Sequence, residues 1–106
     1  MIDIEQYIQD KPGHPVNEDE AECVRAAFNS LNAAFTTRHS RIESVDVDEE
    51  NLCLSIVFVT PYLATDPDSG EHLANVFRLA DSVSISAVPD EDGFSAAVIL
   101  TFALWD

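Results

Sequence analysis

Apolar residues recur along this chain with two different periods. Within 16–39, Val24, Phe28, Leu31 and Phe35 are spaced by four, three and four, which makes one stripe along a helix of about six turns. Asn17 is placed to cap that helix. Val16 precedes it, Glu20 stands at the third helical position and Ala21 at the fourth, the pattern of a capping box with a hydrophobic staple. Glu18, Asp19, Glu20 and Glu22 crowd the first turns, where the helix dipole favours negative charge. Arg38, His39 and Arg41 lie at the other end, where it favours positive charge. A coiled-coil seam would have barely three heptads here, so packing on a sheet is the simpler reading. A shorter helix is predicted over 2–10, with Asp3 as N-cap, Gln6 as its box partner, and Ile4, Tyr7 and Ile8 on one face. Lys11-Pro12-Gly13-His14-Pro15 ends it.

Elsewhere the period is two. In 42–48, Val45 and Val47 point one way and Ser44, Asp46 and Asp48 the other. In 52–60, Leu52, Leu54, Ile56 and Phe58 form one face, and Cys53, Ser55, Val57 and Val59 the other. Asp48-Glu49-Glu50-Asn51 between them reads as a tight turn. Residues 61–70 are rich in turn formers. Asp66-Pro67 then reads as an N-cap with proline at the first helical position, or Asp68 with Glu71 as a capping box. The helix they open runs to about Asp81, with Leu73, Val76, Phe77 and Ala80 on one side. Segment 82–88 alternates again, with Val83, Ile85 and Ala87 expected inside. Pro89 to Gly93 reads as a loop. In 94–105, Phe94, Ala96, Val98, Leu100, Phe102 and Leu104 share a face opposite Ala97, Ile99, Ala103 and Trp105.

The fold class expected is α+β: a four-stranded, mostly antiparallel sheet with two main helices packed on it, in the order (α)αββαββ. Residues 1–106 form a single domain, in which 1–15 is a short N-terminal helix and a Pro/Gly linker. A helix and a hairpin occur twice, a weak echo. The second hairpin is apolar on both faces, so part of its second face is expected to be covered by a helix or by another chain. A homodimer through this C-terminal hairpin is one form of that expectation. Trp105 reads as a core tryptophan near the rim, with a strand edge offered to a partner as the alternative.

Composition changes the functional picture more than the structural one. Of 106 residues 46% are hydrophobic, enough for a core. The net charge of −15 comes from 20 acidic against 5 basic residues, with Lys11 the single lysine. Such a charge repels nucleic acid phosphates and anionic membranes, so no direct nucleic acid and no membrane partner is expected. The N-terminal MIDIEQYI lacks the basic and apolar regions of a signal peptide, and the longest apolar run, 96–105, is too short to span a bilayer. A cytoplasmic location, in the protein's own cell or a host cell, is the expectation. Cys23 and Cys53 make no disulfide framework and no C-x-x-C, and read as two reduced thiols.

The acidic clusters do not spell out a metal site. An EF-hand loop needs a glycine at its sixth position and a glutamate at its twelfth. Counted from Asp46 these are Asn51 and Val57; counted from Asp66 they are Glu71 and Phe77. His14, His39, His72, Cys23 and Cys53 show no zinc-ligand spacing. There is no nucleophile elbow and no phosphate loop. Asp46 and Asp48 would lie about 6.6–6.8 Å apart by strand rise, within glycosidase range, but the adjacent Glu49, Glu50 and Asn51 mark a solvated hairpin end. No catalytic residue, metal or cofactor is assigned.

Three clusters are left as candidate partner-binding residues: Asp46, Asp48, Glu49 and Glu50; Glu18, Asp19 and Glu22; and Asp90, Glu91 and Asp92. Each one alone also reads as a solvated turn or a helix start. Together they point to a non-enzymatic acidic protein that binds a basic protein, most sharply an inhibitor that imitates nucleic acid before a nucleic-acid-binding protein. One alternative is a halophilic-type soluble adaptor or dimeric domain that uses apolar strand or helix contacts, a reading favoured by the scarcity of lysine. Another is an enzyme with a carboxylate site assembled from distant residues.

Overall fold

The computed structural model describes residues 2–35, 40–60, 73–90 and 93–106. Its elements are a 3-10 turn (Ile4–Gln6), helix α1 (Glu18–Phe35), strands β1 (Arg41–Asp48) and β2 (Cys53–Thr60), a second helix α2 described over 73–77, and strands β3 (Ser82–Asp90) and β4 (Gly93–Phe102). The chain is α+β, a four-stranded sheet with two helices packed on it. The strand order is β1-β2-β4-β3, and all three neighbouring pairs are antiparallel. The N-cap and capping box expected at Asp66, Asp68 and Glu71, with His72, Arg38 and His39, lie outside the described residues.

The helix-facing side of the sheet carries the core. Leu54, Ile56 and Phe58 of β2 and Val98, Leu100 and Phe102 of β4 are buried there, in register with Val45 of β1. Ala21, Val24, Ala27, Phe28 and Leu31 of α1 close over them, with Leu73 and Val76 from α2. The predicted stripe therefore holds for Val24, Phe28 and Leu31. The two alanines widen it and let the helix approach closely. Ser40 and Thr60 bury a hydroxyl pair 2.7 Å apart, which satisfies both polar groups.

Several local readings are corrected. The first segment makes only a single 3-10 turn rather than a helix over 2–10. Asp3 still caps it by accepting from Glu5 N, and Ile4 and Ile8 are still buried. Lys11-Pro12-Gly13-His14 closes on itself with reciprocal backbone bonds of 2.9 and 2.8 Å. Gly13 has φ 77 there, as the third residue of a type II turn requires. Leu52 is not the first residue of β2: it has φ 57 and ends a four-residue connection between Asp48 and Cys53. Asp48 shapes that turn by accepting from the N–H groups of Glu50 and Asn51. Pro89, Asp90 and Gly93, expected in a loop, extend β3 and β4.

The largest correction concerns β3. Val83, Ile85 and Ala87 share the face of Leu100, Val98 and Ala96, as alternation demands, but they are not inside. All of Asp81 to Ala87 is exposed, Val83 at 38% and Ile85 at 53%. The described helical residues pack on the core of β1, β2 and β4, and this edge is left exposed. Trp105, by contrast, is buried beyond the end of β4. Its Nε1–H donates to Gln9 O at 2.7 Å, and Lys11 Nζ lies 4.6 Å from the ring centroid. Asn17 N donates to Leu104 O and Asp106 N to Pro15 O, so the N-terminal strap and the C-terminal residues hold each other.

Candidate functional site

Strand register decides which acidic residues meet. The β1–β2 connection follows Asp48 and lies at the Phe102 end of β4, because Leu54 pairs with Phe102. The start of α1 is tied to that same end through Asn17 and Leu104. The structure thus places two of the three clusters towards one end of the sheet: Asp46, Asp48, Glu49 and Glu50 from the hairpin, with Asp46 and Asp48 on the face turned away from α1, and Glu18, Asp19 and Glu22 from the first turns of α1. All seven are exposed. Asp90 belongs to the β3–β4 hairpin at the opposite end of β4, roughly 30 Å away by strand rise. Its companions Glu91 and Asp92 lie outside the described residues.

Among the described residues, two cations reach this acidic end, Lys11 at Glu49 and Arg25 near Glu18 and Glu22. Lys11 Nζ is 3.5 Å from Glu49. Arg25 is occupied by Glu5 at 2.6 Å, and Arg41 lies 3.6 Å from Glu43. The Asp48 carboxylate is held by the Asn51 side chain at 2.8 Å and by two backbone N–H groups. Those bonds, the Asn51 side chain first, keep its pKa below the usual carboxylate range. Asp48 therefore stays ionised and is unsuited to act as a general acid beside Asp46.

The structure also assembles a carboxyl pair that spacing along the chain did not bring together. Asn17 accepts from Asp19 N and Glu20 N, so the cap forms, but Glu20 does not return its side chain to Asn17 N, which is bonded to Leu104. Instead the Glu20 carboxyl turns to Asp81, at the start of β3. Glu20 Oε2 is shut off from solvent and receives no N–H or O–H donor. Burial, then the bond and charge of Asp81, then Asp19, push Glu20 up to about 7. The physical reason is that two acceptors face each other, and a proton on Glu20 turns the contact into an O–H donating to Asp81. A capping-box glutamate gives no sign in the sequence of this second use, because Asp81 is sixty-one positions further on.

The thiols are not activated by this environment. Burial first, then the charges of Glu20 and Asp81, raises the Cys23 pKa. Burial first, then Asp48, Asp81 and Glu20, raises that of Cys53. Both remain protonated, and Cys53 Sγ donates to Asn51 O at 3.2 Å. Among the described residues, no three His, Cys, Asp or Glu side chains converge to hold a metal ion, and no helix is long and apolar enough to cross a membrane. No protein-family model, curated protein or solved structure matches this chain, so a functional reading has to rest on its own residues.

Proposed function

We propose that this chain is a non-enzymatic binding protein that docks its acidic end on a basic protein. In the sharpest form the partner binds nucleic acid, and the carboxylates occupy its groove in place of a phosphate backbone. The observation that carries this reading is the shared placement of Glu18, Asp19, Glu22, Asp46, Asp48, Glu49 and Glu50 at one end of the sheet, all exposed. They stand on a helix start and a hairpin rather than on a tail, so little side-chain scaffolding has to be ordered on binding. Complementary charge of this kind speeds encounter and selects among partners. The cytoplasm, the protein's own or a host's, is where we place the interaction.

The test is a binding screen against basic nucleic-acid-binding domains at about 50 mM KCl, followed by titration to about 500 mM. The expected result is binding that weakens steeply with salt and is lost in a triple variant, D46K/E49K/E50K, which keeps the turn-forming Asp48 and whose circular dichroism is unchanged. Binding that ignores both salt and charge reversal would sink the proposal.

A second reading has one observation in its favour. The single lysine, Lys11, is engaged by Glu49 and the Trp105 ring, and acidic residues outnumber basic ones by 20 to 5. That composition suits a soluble domain in concentrated salt. Thermal melting in KCl from about 20 mM to about 3 M separates the two. Unfolding at low salt favours salt adaptation, and a fold indifferent to salt favours binding.

A further inference from the structure

We propose that two copies of this chain join through β3, antiparallel and centred on Ile85, so that their sheets become one. This goes beyond the acidic-end reading and does not depend on it. β3 is an edge strand, and among the described residues its backbone bonds run to β4 alone. Its other side is open, since Asp81 to Ala87 are all exposed.

The direction of its free groups follows from Pro89. Pro89 sits within the ladder opposite Phe94, yet has no N–H to give. Such a proline is tolerated where the backbone nitrogen faces away from the neighbouring strand. Antiparallel ladders alternate inward and outward positions, so Ala87, Ile85 and Val83 also turn their N–H and C=O groups outward. Ser84 and Ser86 bond inward to β4. The pairing shows no register shift from Ser82 to Asp90, so the alternation runs unbroken.

The sequence around Ile85 is suited to meeting itself. Val83-Ser84-Ile85-Ser86-Ala87 is nearly symmetric about its centre. Paired antiparallel about a two-fold axis, Ile85 faces the second copy's Ile85, Val83 faces its Ala87, and Ser84 faces its Ser86. The apolar members fall on the helix-facing side of both sheets, where Val83 and Ile85 are exposed in the single chain. The serines meet on the other side, where hydroxyl pairs are favourable.

Charge selects the occupant. Ser82 to Pro89 carries no ionisable side chain in a chain of net charge −15. A basic partner would find nothing there to answer its charge, whereas two like-charged copies can approach along a neutral strand. The antiparallel arrangement also sets the two acidic ends apart. Its remaining cost is at the strand ends, where Asp90 of one copy comes towards Asp81 of the other, and salt screens that repulsion.

Sedimentation velocity from micromolar to near-millimolar protein tests this, in about 50 mM and about 1 M KCl. The expected result is a monomer–dimer equilibrium that tightens several-fold at the higher salt, opposite in sign to binding of a basic partner. I85K should be monomeric throughout with an unchanged circular dichroism spectrum. A87P removes an outward N–H without touching the ladder to β4, and should weaken the dimer roughly tenfold or more. In the wild-type dimer, amide exchange at Val83, Ile85 and Ala87 should slow with dimerisation, while Ser84 and Ser86 are protected in both states. A wild-type monomer at every concentration and salt would overturn the proposal. So would a dimer that survives both substitutions, or one that leaves the Ile85 amide unprotected.

Discussion

β1 and β3 are the two edges of one sheet, and they are finished in opposite ways. β1 carries Arg41, Glu43, Asp46 and Asp48, shifts register between Ile42 and Ser44, and has α1 packed against it. β3 carries no charge before Asp90, keeps a regular ladder and is exposed on both faces from Ser82 to Ala87. Charges and bulges are the usual means by which an edge is kept from pairing with another strand, and β1 uses both. The difference teaches that the acidity of this protein is not spread evenly as a solvent coat. Within the sheet, carboxylates stand along the β1 edge and are absent from 82–89 of the β3 edge.

The largest effect expected from probing this contrast separates two isoleucines on the same sheet face. Ile56 is fully buried in β2 and Ile85 is half exposed in β3. Ile56→Ala should cost roughly 2–5 kcal/mol through lost burial and the cavity left behind. Ile85→Ala should stay within about 0.5 kcal/mol in the monomer, as at ordinary surface sites. Urea unfolding at low protein concentration measures both. Equal losses would mean that β3 is covered after all.

The next effect comes from the joint between α1 and the start of β3. The folded pKa of Glu20, about 7, lies above the unfolded value near 4.5. Between these values the folded state binds the extra proton, so acidification stabilises it. The contribution is complete below about 4.5 and is lost as pH rises through about 7. Because Glu20 is only half-buried as a residue, we expect roughly 1–3 kcal/mol rather than the full value of the shift. Relief of the general negative charge acts in the same direction, so the test is a difference. The melting temperature of the wild type should rise more between pH 8 and pH 5 than that of E20Q, which is neutral throughout. Parallel curves would deny the pair its role.

A smaller effect is expected at the helix cap. Asn17→Ala removes the acceptor for Asp19 N and Glu20 N and should cost about 1 kcal/mol, read by denaturant unfolding. The smallest concerns the charged edge. Removing charge with D46S/E50S, which spares the turn-forming Asp48, should leave stability within about 0.5 kcal/mol. It should lower the salt dependence of partner binding and leave self-association through β3 unchanged, as gel filtration with light scattering would report. If self-association through β1 appears instead, those charges serve mainly to block an edge.

Much of the fold was legible in the pattern of residues. The i, i+3, i+4 stripe of α1 and the alternation of β2 and β4 name the same core that the structure packs, because periodicity encodes which side of an element is apolar. The turn at Lys11-Pro12-Gly13-His14 was legible because its chemistry is local. What failed did so where a neighbour decides the outcome. Val83 and Ile85 alternate as well as Leu54 and Ile56 do, yet they stay exposed at the sheet edge. Leu52 continues the apolar alternation of β2, yet the bonds accepted by Asp48 take it into a turn. Of the candidate site, the hairpin and helix-start clusters were visible as acidic runs. Their shared location, and the separation of Asp90, depended on strand register.

The sequence by itself determined an α+β order of elements, the identity of the core stripes, the concentration of carboxylate and the absence of charge from 82–89. All of these are properties of near neighbours along the chain, where period and composition act directly. Only the tertiary structure decided that β3 is an open edge, that two acidic clusters share one end, and that Glu20 meets Asp81. Those facts arise from which strands pair and how far the helices reach. Burial and electrostatics depend on distances in space, and a carboxyl group is shifted by what packs against it rather than by what precedes it.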